Sequence, residues 1–179
     1  MQKAIFLDRD GILNEPIIKH GRPFSPSSLS EVKIILDVKE SLSKFKECGF
    51  LPVVITNQPD VSRGKVRLQE VEQINSFLSK KLGIENFYSC FHDDVDDCEC
   101  RKPKPGLLFM AARDLALNLE NSLLVGDRWK DIEAGQRAGC FCYFVDYAYR
   151  EKAPRKPYKR VSSLSEVFDI HLSHERPHL

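Results

Sequence analysis

The sequence predicts an α/β protein built on an open, doubly wound, mostly parallel sheet with helices on both faces. Three observations carry that expectation. Continuous apolar runs rich in Ile and Val end abruptly in polar residues, helical periods lie between them, and glycine or proline marks the changes.

AIFLD at 4–8 reads as the first buried strand. Val38, Leu42 and Phe45 recur at helical spacing before Gly49, and LPVVIT at 51–56 supplies the next strand. Val71, Ile74, Leu78 and Leu82 predict a second helix that stops at Gly83. FYSCF at 87–91 follows as a strand, then a helix from Leu107 through Leu117 after Pro105. SLLVGD at 122–127 and FCYFV at 141–145 are strands flanking a helix over WKDIEAGQRAG at 129–139. EKAPRKPYKR at 151–160 is polar, carries two prolines and reads as a linker. The tail HLSHERPHL has neither period nor apolar weight, so fraying is expected there, with His171, His174 and His178 in solvent. The chain is thus expected to form one domain over 1–179, with a core of about 1–150 and a C-terminal extension over 151–179.

Lys and Arg number 27 against 26 Asp and Glu, for a net charge of +1. That balance argues against a dedicated nucleic-acid or membrane-surface binder, so any partner is chosen locally. The expected partner is a small phosphorylated metabolite and the expected state a monomer. The N-terminal MQKAIFLDRDG has too short an apolar run for a signal peptide or a membrane span, which predicts a cytoplasmic protein.

Ligands of open α/β sheets bind beyond the carboxyl ends of the strands, and here those ends carry Asp8 with Asp10, Thr56 with Asn57, and Gly126 with Asp127. The period of two points Asp8 and Asp10 to one side, where two carboxylates repel each other. A hard cation relieves the repulsion, and Mg²⁺ suits a few carboxylates plus a substrate phosphate. Asp127 is the natural third ligand, with Asp131 one helical turn later supporting it. A carboxylate beside Mg²⁺ can attack phosphorus, so Asp8 is the expected nucleophile and Asp10 the expected general acid and base. Thr56, Asn57 and Lys102 supply the donors that a transferring phosphoryl group needs. Any one of these motifs alone reads as a turn or a cap; all of them in order at strand ends do not.

DRDG, ITNQ, RKPKPG and VGDRWKD, in this order and spacing, resemble the four motifs of the haloacid dehalogenase (HAD) superfamily, over nearly all of residues 4–147. An aspartate in the place of Asp10 marks that superfamily's phosphatases and phosphotransferases, so the resemblance implies phosphomonoester hydrolysis through an aspartyl-phosphate. The short runs from Asp10 to Thr56 and from Thr56 to Lys102 leave no room for a folded cap, as in the capless subgroup.

Cys90-x-His92 and Cys98-x-Cys100 offer three thiolates and an imidazole, a complete tetrahedral set for Zn²⁺ with no position left for water. The zinc is therefore expected to be structural and to order the loop. A zinc loop followed directly by CRKP resembles two phosphatase families, the D-glycero-D-manno-heptose-1,7-bisphosphate 7-phosphatases and the histidinol-phosphate phosphatases. The resemblance implies that Arg101 and Arg128 contact substrate and that Lys102 stabilises the phosphoryl group.

The short gap between His92 and Cys98 resembles the histidinol group. The cations Lys19, His20 and Arg22, with Arg63, Lys65 and Arg67 after the second motif, point instead to a second anionic group on the substrate. Histidinol, an ammonium ion, should be repelled. A sugar bisphosphate such as the heptose compound is the expected substrate. The alternatives are histidinol phosphate or another small sugar or polyol phosphate, and, in another class, a catalytically silent, zinc-stabilised binding module. Ile12, Phe91 and Pro59-Asp60 depart from the family patterns without removing a catalytic group. Cys140 and Cys142 alternate on a strand and read as buried small hydrophobes, Cys48 as core and Trp129 as packing.

Overall fold

The computed structural model describes residues 1–175. The chain opens with β1 (Lys3–Leu7), followed by an antiparallel hairpin of β2 (Ile17–Lys19) and β3 (Arg22–Phe24). Then come α1 (Val38–Glu47), β4 (Phe50–Asn57), α2 (Leu68–Leu82) and β5 (Asn86–Cys90). The second half runs α3 (Gly106–Asp114), β6 (Leu123–Gly126), α4 (Trp129–Ala138), β7 (Phe141–Val145), β8 (Lys159–Val161) and α5 (Leu164–Glu175). All strand pairs of the six-stranded sheet are parallel, in the order β5-β4-β1-β6-β7-β8.

Strands buried on both faces need apolar residues at every position, which is why KAIFL and LLVG show no alternation. One face of the sheet, with Ile5, Leu7 and Val54, packs on Leu42 and Phe45 of α1 and Ile74 and Leu78 of α2. The other, with Phe6, Val53 and Ile55, packs on Leu107 and Leu108 of α3 and Ile132 and Ala134 of α4. From the central β1 the chain winds outward to β4 and β5, then returns across β1 to β6 and β7. The direction of winding reverses beside β1, which opens a crevice at its carboxyl end. Only the hairpin and a short 3-10 turn at Leu29–Glu31 separate β1 from α1, so among the described residues no cap domain is inserted there over that crevice.

Two expectations are corrected. The third long helix ends at Asp114 rather than Leu117, because Ala116 takes a left-handed φ of 51° and Leu117 turns back to bridge Gln2. The tail expected to fray is helical over 171–175, as the last turn of α5, and the segment before it is structured too: β8 adds the sixth strand against β7, and Leu164, Val167 and Phe168 of α5 pack on the α1 side of the core. His171 is consequently not a solvent residue. Its Nδ1 shares a hydrogen bond with Tyr143 Oη at 3.1 Å, and its ring meets Phe50 edge-on at 5.6 Å. His174 lies within α5, and His178 lies outside the described residues. Cys140 and Cys142 are buried, and the Cys142 thiol donates to the Ile132 carbonyl at 3.6 Å.

Candidate active site

The carboxyl ends of β1, β4 and β6 deliver the first residues of the site. The Asp8 N–H continues the β1 ladder to the Val125 carbonyl at 3.0 Å, so its carboxylate sits at the last fixed position of the strand. Thr56 and Asn57 end β4, and Asp127 follows β6. Lys102 arrives from the loop before α3, and Asn57 locks its backbone reciprocally: Lys102 N–H donates to Asn57 Oδ1 at 3.2 Å, and Asn57 Nδ2 donates to the Lys102 carbonyl at 3.0 Å. Lys102 is 2% exposed, and its ammonium has a partner for each of its N–H bonds: Ile55 carbonyl at 2.8 Å, Asp8 Oδ1 at 2.9 Å and Asp131 Oδ1 at 2.6 Å.

Asp8, Asp10, Thr56, Asn57, Lys102, Asp127, Arg128 and Asp131 all line one small cavity of about 60 Å³. Within it, oxygens of Asp8, Asp127 and Asp131 lie within 4.8 Å of one another. The Asp10 carboxylate stands outside that trio. Arg9, fully buried, grips it with Nε and Nη2 at 3.0 Å each, while Asn14 and Gln58 add donors at 3.0 Å. The repulsion expected between Asp8 and Asp10 is thus met by the arginine between them in sequence. Gly11 makes the turn possible: its φ is +90°, and an added Cβ would stand 2.1 Å from Asp127 Oδ2.

Burial, then the charge of Asp131, pushes Asp8 up to about 7 against the pull of Lys102. Burial and the charges of Asp8 and Asp131 push Asp127 well above the usual carboxylate range. Burial also acts on Asp10, but the Arg9 guanidinium overrides it and holds that carboxyl below its ordinary value. The trio therefore carries more negative charge than Lys102 offsets. Asp127 Oδ1 is moreover buried with no hydrogen-bond partner. An all-oxygen donor set with an orphaned carboxylate oxygen fits a hard divalent cation.

Cys90, His92, Cys98 and Cys100 converge beyond the end of β5, with one ligand atom of each within 4.8 Å of the others. Their sulfurs lie 3.3 to 3.7 Å apart, and His92 Nδ1 lies 3.3 Å from Cys100 Sγ and 3.6 Å from Cys90 Sγ. Zn–S bonds of about 2.3 Å in a tetrahedron put sulfurs about 3.8 Å apart, so the set fits Zn²⁺ with little adjustment. Burial and the neighbouring Cys100 push the Cys90 thiol up, a penalty that a cation among the sulfurs removes. The loop also holds Arg101, whose Nη1 donates to the His92 carbonyl at 3.2 Å and whose Nε donates to Asp94 Oδ1 at 2.8 Å.

A second cavity of about 560 Å³ adjoins the first, sharing Pro23, Phe24, Ser25, Asn57, Arg128 and Lys130 with it. Seven cationic side chains face it against three carboxylates, Asp60, Asp94 and Glu151. The expected Arg22, Arg63, Arg101 and Arg128 are among the seven. Lys19 is not: directly across the hairpin from Arg22, it turns its Nζ to 5.8 Å above the Phe24 ring, which separates two like charges. Several residues escaped sequence reasoning, among them Arg9, Gln58, Lys130 and Tyr149. Lys130 lines both cavities and shares Asp94 with Arg101 at 3.3 Å. Arg9 had one available signal, a charged residue between two aspartates at the end of a buried strand.

The HAD-hydrolase-like family matches residues 99–167. A Helicobacter pylori (strain ATCC 700392 / 26695) D-glycero-beta-D-manno-heptose-1,7-bisphosphate 7-phosphatase is 37% identical over 142 residues, spanning 76% of this chain and 79% of that protein. The chain belongs to the heptose-bisphosphate phosphatase family of HAD-like hydrolases. Another family member, the D-glycero-alpha-D-manno-heptose-1,7-bisphosphate 7-phosphatase of Photorhabdus laumondii, is 30% identical over 167 residues, covering 85% of this chain and 87% of its own. The fold of the family is seen in the crystal structure of D,D-heptose 1,7-bisphosphate phosphatase from B. bronchiseptica, complexed with magnesium and phosphate. It superposes with a TM-score of 0.83 at 24% identity, covering 96% of this chain and 99% of that one.

Proposed function

We propose that this phosphatase hydrolyses the 7-phosphate of D-glycero-D-manno-heptose 1,7-bisphosphate through an aspartyl-phosphate on Asp8. The cation-rich cavity beside the catalytic one carries the reading, because it offers the second phosphate of a bisphosphate a place of its own. A substrate with an ammonium at that end would meet repulsion instead.

Asp8, Asp127 and Asp131 are the side chains to hold Mg²⁺, so that Asp131, expected from the sequence to support the site, takes the ligand place expected for Asp10, which lines the same cavity. Bound there, Mg²⁺ supplies charge neutralisation for the phosphate and for the carboxylates around it. Arg9 N–H at 2.8 Å and Lys102 both bond Asp8 Oδ1, which leaves Oδ2 as the oxygen to attack phosphorus. The Thr56 hydroxyl accepts from Gln58 Nε2 at 2.9 Å, so its own proton is available to a phosphate oxygen. Lys102 stands at the nucleophile and balances charge there. Asp10 protonates the leaving oxygen and then takes a proton from the hydrolytic water. Arg9 favours the ionised form needed for the second task, and the arriving phosphate dianion raises the proton affinity needed for the first.

Cys90, His92, Cys98 and Cys100 would hold Zn²⁺ with all four positions filled, giving it a structural part. Through the His92 carbonyl the loop orients Arg101 toward the substrate, where Arg128, Arg22 and Arg63 also bind. The reading includes a cytoplasmic monomer, since a thiol-rich metal site needs a reducing compartment; light scattering checks the oligomeric part. Phosphate release across a panel with both heptose bisphosphate anomers and histidinol phosphate tests the substrate. The expected result is the highest kcat/KM on a heptose bisphosphate and no turnover in Asp8→Asn. A preference for histidinol phosphate would sink the substrate assignment, and a fully active Asp8→Asn the covalent mechanism.

A further inference from the structure

We infer that Tyr149 is a positioning residue that aims the Asp127 carboxylate at the cation site, an inference that rests on the Mg²⁺-dependent reading above. Tyr149 Oη donates to Asp127 Oδ2 at 2.6 Å across 22 residues of sequence. The same Oδ2 lies against the backbone of Gly11, where an added Cβ would stand 2.1 Å away. One oxygen of Asp127 is therefore pinned between a phenol and a backbone turn. The other, Oδ1, is buried and accepts no hydrogen bond, and the Asp127 carboxylate belongs to the group formed with Asp8 and Asp131. Fixing Oδ2 fixes the rotation of the carboxylate and so the direction of Oδ1.

The chemistry of the donor suits the task. A phenol gives one directional hydrogen bond and no charge, so it does not compete with the cation for Asp127, whereas an arginine or lysine in its place would. The ring is itself held. It stacks on Tyr147 with centroids 5.6 Å apart and planes 15° apart, and Tyr147 Oη donates to the Gly11 carbonyl at 3.0 Å. The same segment is anchored beyond the tyrosines: Arg150 N–H donates to the Gly21 carbonyl at 2.7 Å, and Glu151 takes Arg128 in a fork at 2.6 and 3.1 Å.

Tyr149→Phe in the full chain removes the donor and keeps the ring. Mn²⁺ binding without substrate, read by electron paramagnetic resonance of the free ion, is expected to weaken roughly tenfold, the usual scale for losing a partner of a metal ligand. The Mg²⁺ concentration for half-maximal turnover should rise in parallel, with KM for the sugar bisphosphate within twofold. Tyr147→Phe removes a hydroxyl that holds the Gly11 carbonyl but does not touch Asp127, and should weaken Mn²⁺ binding by no more than about threefold, clearly less than Tyr149→Phe. Unchanged affinity in Tyr149→Phe overturns the inference while leaving the phosphatase reading intact, and equal losses in both variants overturn it in favour of simple packing. A wild-type chain that binds no Mn²⁺ defeats both. In the wild-type chain Mg²⁺ is also expected to give a tyrosine ultraviolet difference spectrum; its absence counts against the inference even where the Phe variant fails to fold.

Discussion

At the scale of single residues, the site is a problem of charge placement in a buried crevice. Lys102 answers it for Asp8 and Asp131, and Arg9 answers it for Asp10. Arg9 is fully buried, and besides Asp10 it bonds Asn75 Oδ1 at 3.0 Å, so it also ties the catalytic loop to α2. Removing one partner of a buried pair leaves the other uncompensated, a loss of about 3 kcal/mol or more. Arg9→Met is therefore expected to lower the urea-unfolding free energy by about that amount. The same variant should lose most of its turnover, because Asp10 then loses its charged, two-pronged partner and keeps only the amides of Asn14 and Gln58; a stable, fully active Arg9→Met would count against both roles. Asp8, Thr56 and Asp127 were legible in the sequence because strand ends in a doubly wound sheet converge by topology alone, and Lys102 because it belongs to a motif, RKPKPG, in the loop before α3. Gln58, Lys130 and Tyr149 were not. Which way their side chains point depends on tertiary packing that no local period encodes, and the same holds for Lys19, which lies outside the lining of the outer cavity.

At the scale of elements, the continuous apolar strands and glycine-stopped helices were readable because burial on both faces leaves an unbroken apolar signature. β8 and α5 were missed, although a signal was there. Ser163 and Glu166 have the spacing of a capping box ahead of Val167 and Phe168, and Glu166 N–H does bond Ser163 Oγ at 3.2 Å. β8 is three residues long, and only its pairing with β7 identifies it. The Cys–His loop is the element whose spacing alone led to a geometry, since four ligand atoms do gather. Cys98→Ser is expected to lower bound zinc, measured by atomic emission, from one equivalent to a small fraction. With Arg101 released from His92, KM for the bisphosphate should rise roughly tenfold while kcat falls less. Equal loss of kcat and KM effects, or retained zinc, would contradict a clip that serves recognition alone.

For the whole molecule, a net charge of +1 conceals an uneven distribution. Cations gather around the outer cavity, carboxylates in the inner one, and the two share the wall that includes Arg128 and Lys130. A heptose 7-phosphate without the second phosphate should therefore lose kcat/KM by roughly tenfold to a hundredfold, the worth of one or two charge-assisted hydrogen bonds. Equal kcat/KM for the mono- and bisphosphate would mean that the outer cations do not hold the second anion. The arrangement also separates two vulnerabilities. The three clustered sulfurs stand 3.3 to 3.7 Å apart on a loop that ends in Arg101, whereas the hydrolytic carboxylates contain nothing oxidisable. An oxidant that joined two of those sulfurs would take the grip on the sugar's far end and leave the bond-breaking groups untouched. Peroxide would thus blunt the enzyme's selectivity before it touched its chemistry.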